Sequence, residues 1–331
     1  MIAGSKTAGK RKPARSLTVG GTRIYTRSVS NTLNRRRFIV SGAATAGLTF
    51  EHQPLLAELQ ANRPSQRAKP AAGGPPPMGK IGKLTLSRLM CGGNLFSGVA
   101  HSGGLLYVSS LLKHYFAPEK ILDTLQLCEQ SGINTCLLRA DDHMVGILKR
   151  YRKERGGKLQ WIAQTYPEAD NLKDNIKMAI DNGAVGAYAM GGIADDFLKT
   201  GRIDLIGEVV SFIKQNGLVA GVGSHSLDVP KQIELRGINP DFYFKTVNAV
   251  GYDSEDPAEI AAFMKTVKKP WIAFKVLGAG RMKPREGFDL AFKLGADFVN
   301  VGMYDFQVQE DVSLVREIVA KHAQRERTWS A

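Results

Sequence analysis

Two apolar runs in the second half of the chain each carry one lysine. Asp241-Phe-Tyr-Phe-Lys-Thr-Val247 holds Lys245, and Trp271-Ile-Ala-Phe-Lys-Val-Leu-Gly-Ala-Gly-Arg281 holds Lys275. A lysine is seldom buried without a partner or a role. Period-two alternation puts Tyr243, Lys245 and Val247 on one face of the first run and Phe242, Phe244 and Thr246 on the other. In the second run Trp271, Ala273, Lys275 and Leu277 oppose Ile272, Phe274 and Val276. If the Phe/Ile/Val faces pack beneath outer helices, both lysines point inward. Neighbouring strands lie roughly 5 Å apart, so two such ammonium groups repel. Repulsion and burial both favour the neutral amine, which attacks carbonyls. Three readings stay open: a covalent site in which one of the two lysines attacks a carbonyl, an anion site or ion pairs with Asp142 or Asp305, and plain surface lysines.

Other residues offer further chemistry. His225, in Gly221-Val-Gly-Ser-His-Ser226, has small neighbours that leave room for a ligand. It suits a general acid or base, with Asp142 as a second candidate, or a hydrogen-bonded structural histidine. A metal needs more ligands. Asp142, His143, His225 and Asp305 are the available set, and no spacing singles them out, so no metal site is assigned. Gly278-Ala-Gly280-Arg281, with Gly302-Met303, falls where many barrels bind phosphate, or simply makes tight turns. Asn94, Gln164, Asn248, Gly278, Gly280, Arg281, Gly302 and Asp305 are the expected contacts of a small-molecule substrate.

These residues need elements to hold them. From residue 84 the chain alternates β-branched or aromatic runs with helical patterns. Strands are expected at Leu86–Asn94, Asn134–Ala140, Leu159–Thr165, Ala184–Met190, Leu218–Ser226, Asp241–Val247, Trp271–Leu277 and Asp297–Asp305. Helices are expected at 118–131, 143–155, 171–182, 203–216, 228–237, 256–268, 284–295 and near 310–323. Glycines 132, 183, 217, 237 and 295 follow helices as stops before the next strand. Eight strand–helix units predict an α/β fold, a closed parallel (β/α)8 TIM barrel with its site at the C-terminal ends of the strands. Those ends include Asn94, Arg139 to Asp142, Gln164 to Tyr166, Met190 to Gly192, His225, Lys245 to Asn248, Lys275 to Arg281 and Met303 to Asp305. The longest loop, 95–117, is apolar and aromatic, as a lid or an oligomer contact requires.

The chain has 331 residues and a net charge of +14, yet residues 1–70 carry +11 of it. The remaining +3 excludes a nucleic-acid-binding body. Three cysteines without a CxxC spacing give no disulfide framework and read as buried small hydrophobes. Asn34-Arg-Arg-Arg-Phe-Ile-Val-Ser-Gly-Ala-Ala-Thr-Ala-Gly-Leu48 resembles a twin-arginine (Tat) export signal, which implies a periplasmic or exported protein that uses the Tat machinery. Its apolar part is too short to span a bilayer, so no membrane association is expected of the mature form. The expected organisation is a leader at 1–50, a disordered linker at 51–80 rich in Pro, Gly and Ala, and a barrel at 81–325.

Two family resemblances attach to particular stretches. Phe244-Lys245-Thr246, Lys275-Val-Leu-Gly-Ala-Gly-Arg281 and Gly295-Ala-Asp-Phe-Val-Asn-Val-Gly302 resemble class I aldolases of the deoxyribose-phosphate aldolase type. That resemblance implies Lys245 as a Schiff-base lysine in a lyase and Lys275 as the neighbour that lowers its pKa. Gly82-Lys-Leu-Thr-Leu-Ser-Arg-Leu-Met-Cys-Gly-Gly-Asn-Leu-Phe96 and Leu125-Gln-Leu-Cys-Glu-Gln-Ser-Gly-Ile-Asn-Thr135 resemble aldo/keto reductases. That resemblance implies an oxidoreductase using NADP, with Asp and Tyr after strand two, Lys after strand three and His after strand four. At those places stand Asp141 or Asp142 without a nearby Tyr, then Gln164, then Met190-Gly-Gly192, so the catalytic set is mostly missing. The expected function is action on the carbonyl of a small sugar-like or hydroxy-acid substrate. The alternatives are an altered reductase and a non-catalytic binding barrel.

Overall fold

The computed structural model describes residues 74–101 and 105–330. The leader and residues 51–73 of the expected linker lie outside them. The chain enters through an antiparallel hairpin, β1 (Met78–Ile81) and β2 (Leu84–Ser87), so residues 78–80 form a strand rather than linker. Eight parallel strands then form a closed barrel. They are β3 (Leu89–Gly92), β4 (Thr135–Arg139), β5 (Gln160–Thr165), β6 (Gly186–Ala189), β7 (Val219–Ser224), β8 (Phe242–Thr246), β9 (Trp271–Phe274) and β10 (Phe298–Val301). Each pairs with the next, and β10 returns to β3 through Val299↔Leu89. Lys83 Nζ donates to Gly217 O at 2.7 Å, and the hairpin turn packs against Val219 at the start of β7. The hairpin therefore closes the N-terminal end of the barrel.

The helices are α1 (Leu106–Tyr115), α2 (Pro118–Gln130), α3 (Asp142–Arg155), α4 (Asp174–Asp181), α5 (Gly191–Lys199), α6 (Asp204–Gln215), α7 (Asp228–Leu235), α8 (Pro257–Thr266), α9 (Pro284–Lys293) and α10 (Val308–Lys321). Gly132 (φ 88°) and Gly295 (φ 104°) turn the chain through the left-handed region between helix and strand, as their sequence position predicts. Two helices were not expected. α1 occupies the long loop, and α5 starts directly at Gly191-Gly192.

Both faces of every barrel strand are buried, in two cores. Met90, Leu137, Ile162, Tyr188, Phe242, Phe244, Ile272 and Phe298 fill the barrel interior, capped by Ile81, Leu84 and Leu86 of the hairpin. Tyr243, Trp271, Ala273, Val299, Cys91 and Cys136 face the helices, in the same core as Cys128 of α2. This reverses the facing expected for strands β8 and β9. The aromatic Phe/Ile faces fill the barrel, and the Lys245 face looks outward. A barrel of eight strands needs bulky side chains inside, and Phe242, Phe244 and Phe274 supply them. The tail completes the fold. Buried Asp297 accepts from Arg325 (3.0 Å), Arg327 (2.7 Å) and the Ser330 amide (2.9 Å), so the packed chain runs past residue 325.

Candidate active site

At the C-terminal ends of the strands lies a cavity of about 500 Å³. Its floor is apolar, with Leu137, Phe244 and Phe274. Its rim is polar, with Asn94, His101, Arg139, Gln164, Tyr166, His225, Tyr252, Lys275 and Asn300. Val108 and Leu112 of α1 form part of the wall.

His225 follows β7 and is the best-supported group. Its Nδ1 lies 2.8 Å from Asp195 Oδ2. Asp195 also accepts the amides of His225 (3.1 Å to Oδ2) and Ser226 (3.0 Å to Oδ1). A carboxylate on Nδ1 fixes the proton there and leaves Nε2 as the working nitrogen. Asp195 comes from α5, the helix the sequence pattern did not reveal. Its ring partner Phe274, 5.5 Å away, backs the imidazole.

Lys275 reaches the cavity by an unexpected route. β9 ends at Phe274, and by alternation Lys275 belongs to the outward face. Its φ of 54° breaks the alternation and turns the side chain inward. Nζ then pairs with Asp253 Oδ2 at 2.5 Å and lies over the Tyr252 ring. That hydrogen bond holds the Asp253 carboxyl below its ordinary range. Among the described residues, four that are not glycine take positive φ: His101, Asp253, Lys275 and Ala279. Three line the cavity and the fourth is the partner of Lys275. Such backbone strain persists only where surrounding structure enforces it, and it gathers at functional sites.

His101, from the long loop, accepts from Asn94 Nδ2 across 2.9 Å when Nε2 is unprotonated. Burial, then Lys275, pushes its pKa down, which fits that neutral, accepting state. Arg139 at the end of β4 donates from Nε to Asp141 (2.9 Å) and lies 4.7 Å from the Tyr166 ring. Gln164 accepts from Tyr188 Oη at 3.0 Å and donates to the Tyr166 hydroxyl.

The site residues expected from the sequence separate into two groups. Asn94, Gln164, His225, Lys275, Gly280 and Gly302 line the cavity; the others do not. Lys245 lies on the outer face, fully buried. Its Nζ donates to His225 O (2.6 Å), Thr246 Oγ1 (3.0 Å) and Glu255 Oε2 (2.9 Å). Burial lowers its pKa and Glu255 opposes that. The long lysine stem packs between barrel and helices while its head reaches a loop carboxylate. Lys245 is therefore not the cavity nucleophile.

Asp142 is exposed on the first turn of α3, where Asp141 takes the capping role from Met144 N. Asn248 is consumed by its own loop, donating to Tyr252 O and accepting from Val250 and Tyr252 amides. Gly278 packs against Val250, and Arg281 is exposed beside Tyr252. Asp305 accepts from Tyr115 (2.5 Å) and Lys120 (2.7 Å) instead of facing the cavity. Asp142, His143, His225 and Asp305 do not converge, and the described residues contain no group of three or more His, Cys, Asp or Glu able to hold a metal.

Sequence reasoning missed His101, Asp195, Asp253, Glu255 and Asn300. The signal for His101 was its place in the longest loop at the active end; nothing local pointed to Asp195, 30 residues from its partner.

No protein-family profile and no curated protein sequence matches the chain. Solved structures do. A protein assigned as an aldo-keto reductase of Pseudomonas aeruginosa superposes with a TM-score of 0.57 at 15 % identity, over 76 % of this chain and 98 % of that one. A second structure of that description and organism gives 0.56 at 17 %, over 77 % and 99 %. A truncated 3-deoxy-D-arabino-heptulosonate 7-phosphate synthase of Thermotoga maritima gives 0.50 at 8 %, over 76 % and 95 %. The fold is a TIM barrel. At such identities the likeness speaks of fold alone. Of the reductase set the aspartate is present as Asp141 or Asp142, but Gln164 and Met190 stand in the places of the Lys and His, so the residues do not fit hydride transfer assisted by a Tyr, Lys and His set.

Proposed function

We propose that this barrel is an enzyme acting at the carbonyl, or the carbon beside it, of a small sugar-like or hydroxy-acid substrate. The observation that carries the reading is His225, fixed through Nδ1 by Asp195 with its other nitrogen left for the cavity. In this reading Nε2 removes a proton from the carbon next to the carbonyl. The C–H electron pair moves into the C–C bond and the carbonyl π pair moves to oxygen. Lys275, the cavity lysine, supplies the positive charge that the resulting enolate oxygen needs. Returning the proton, or adding a second carbonyl at the same carbon, completes an isomerase or an aldolase cycle. Lys275, and not Lys245, is thus the lysine of this chemistry.

The test is carbon-bound proton exchange. Purified protein in D2O is incubated with glyceraldehyde, dihydroxyacetone, pyruvate and hydroxypyruvate and followed by proton NMR. Exchange should occur with at least one compound and fall about 10²–10⁴-fold in His225→Gln. No exchange across the panel, or exchange that survives the substitution, overturns the reading. Export of the folded barrel belongs to the same proposal, supported by Arg36-Arg37-Phe38. Replacing both arginines with lysine should keep the protein in the cytoplasm, and unchanged export would refute it.

A further inference from the structure

The cavity wall has a second polar arc that the His225 chemistry does not use. Strands β10, β3, β4 and β5 are successive neighbours around the barrel. At their upper ends they turn Asn300, Gly92, Arg139 and Gln164 into the cavity. Alternation places them, because Phe298 and Leu137, two residues earlier, lie in the inner core. Gly92 keeps the space between Asn300 and Arg139 open. A Cβ there would come within 3.0 Å of Asn300 Nδ2 and of the Val301–Gly302 backbone.

Both flanking side chains have unused capacity. Arg139 gives Nε to Asp141, whose other oxygen already caps α3 through Met144. Among the described residues, no acceptor meets the two terminal nitrogens of Arg139. Asn300 Oδ1 is buried and has no hydrogen-bond partner. A buried acceptor left without a donor is costly, and turning the Asn300 amide toward the cavity that the residue lines gives this oxygen a donor from outside the chain. The guanidinium edge calls for a planar anion that accepts two parallel hydrogen bonds. Asp141 already offsets part of the Arg139 charge, which favours a singly charged carboxylate over a phosphate dianion.

We infer that the cavity takes a small hydroxy-carboxylic acid, its carboxylate on the terminal nitrogens of Arg139 and a hydroxyl donating to Asn300 Oδ1. The inference rests on the proposed carbonyl chemistry for the other end of the ligand, which extends toward His225 and Lys275. It narrows the substrate from sugar-like compounds in general to those ending in a carboxylate.

Calorimetric titration of the wild-type protein tests it without needing turnover. The probes are D-glycerate and D-gluconate, the matched neutral polyols glycerol and sorbitol, the hydroxyl-free acid propanoate, and glycerol 3-phosphate. The hydroxy acids should bind at least about tenfold more tightly than the polyols, as a charge-assisted contact implies, and more tightly than propanoate or the phosphate. Arg139→Gln should abolish the acid preference, and Asn300→Leu should erase the difference between glycerate and propanoate. Circular dichroism checks that both variants fold, and the ligand ranking on the wild type stands without them. Polyols or the phosphate binding as tightly as the acids, no binding of any hydroxy acid, or an acid preference that survives Arg139→Gln overturns the inference. Proton exchange lost in His225→Gln without an acid preference leaves the reaction standing and removes this ligand. Acids held through Arg139 without any exchange do the reverse.

Discussion

Lys245 Nζ donates to the main-chain carbonyl of His225 at 2.6 Å. The contact joins a buried cation behind the barrel wall to the histidine in front of it. The turn that carries His225 is held on three sides. Asp195 takes the amides of His225 and Ser226, Glu255 takes the amide of Leu227, and Lys245 takes the His225 carbonyl while pairing with Glu255. Lys245 thus acts on the site through His225 and not by touching a ligand.

Replacing Lys245 with Met should therefore destabilise the protein. It strips Glu255 of its cation and leaves the His225 carbonyl with only the longer bond from Thr246 Oγ1, 3.3 Å. Glu255, the charge left unpaired, is 31 % exposed, so the loss should be about 1–3 kcal/mol, readable as a lower midpoint in urea. If borohydride traps a carbonyl adduct, its mass should persist in Lys245→Met and vanish in Lys275→Ala. The opposite pattern would return Lys245 to the cavity.

His101 gives the site a pH dependence of definite sign. Its ordinary pKa of 6.5 is pushed down in the fold, by burial first and then by Lys275. The unfolded chain then binds the proton more readily than the folded one. Stability should be unaffected above pH 6.5 and decline as pH falls from 6.5 through the lower folded value. Protonation also removes the acceptor that Asn94 uses. Ligand binding should weaken over the same interval, and His101→Asn should flatten both curves. A decline of equal size in His101→Asn would assign the effect to another group.

The turn after β9 should tolerate exchange of Ala279 but not of Gly278. Ala279 sits at φ 60°, which costs an ordinary residue about 1 kcal/mol. Ala279→Gly relieves that strain while loosening the unfolded chain by a similar amount, so the melting temperature should hardly move. Gly278→Ala adds a methyl 2.3 Å from Val250 Cγ2 at φ 53°. It should destabilise by about 1–3 kcal/mol. A neutral Gly278→Ala would mean that the loop re-forms freely and does not hold Lys275 in place.

The barrel was legible because most strands are short apolar, β-branched or aromatic runs and several helices stop at a glycine. The facing of β8 was not. In a parallel barrel both faces are dry, so alternation separates two faces without saying which is inner. Phe242 and Phe244 went inside on volume, and Lys245 followed Tyr243 outward. Lys275 was placed in the cavity for the wrong reason. Its left-handed backbone, which no propensity signals in a lysine, reverses the direction alternation gives. Asn94, Gln164 and His225 were legible because polar residues at strand ends are exposed to the site by topology. Asp195 and Asp253 were not, since each acts through a partner that only folding brings near.

The wall made by α1 depends on Asp305, which fastens it to the rest of the site. Tyr115 at the end of α1 donates to Asp305 at 2.5 Å, and Lys120 donates to the other oxygen at 2.7 Å. Phe116 stacks on Tyr304, which itself lines the cavity. Burial alone would raise the Asp305 pKa, but the Lys120 and Tyr115 hydrogen bonds prevail and hold it below 3.8. Burial, then Asp305, pushes the Tyr115 hydroxyl up to about 12 from 10.0. A raised folded pKa means that this contact stabilises fully below pH 10 and is lost as pH rises through about 12. Tyr115→Phe should abolish that alkaline component and cost about 1 kcal/mol at neutral pH. Amide exchange should quicken across residues 106–116, because α1 keeps Leu112 and Phe116 buried but leaves Leu106, Tyr107 and Leu111 mostly exposed. Ligand affinity should fall with it, since Val108 and Leu112 form part of the cavity wall. Exchange unchanged in both Tyr115→Phe and Asp305→Asn would show that aromatic packing alone holds α1 in place.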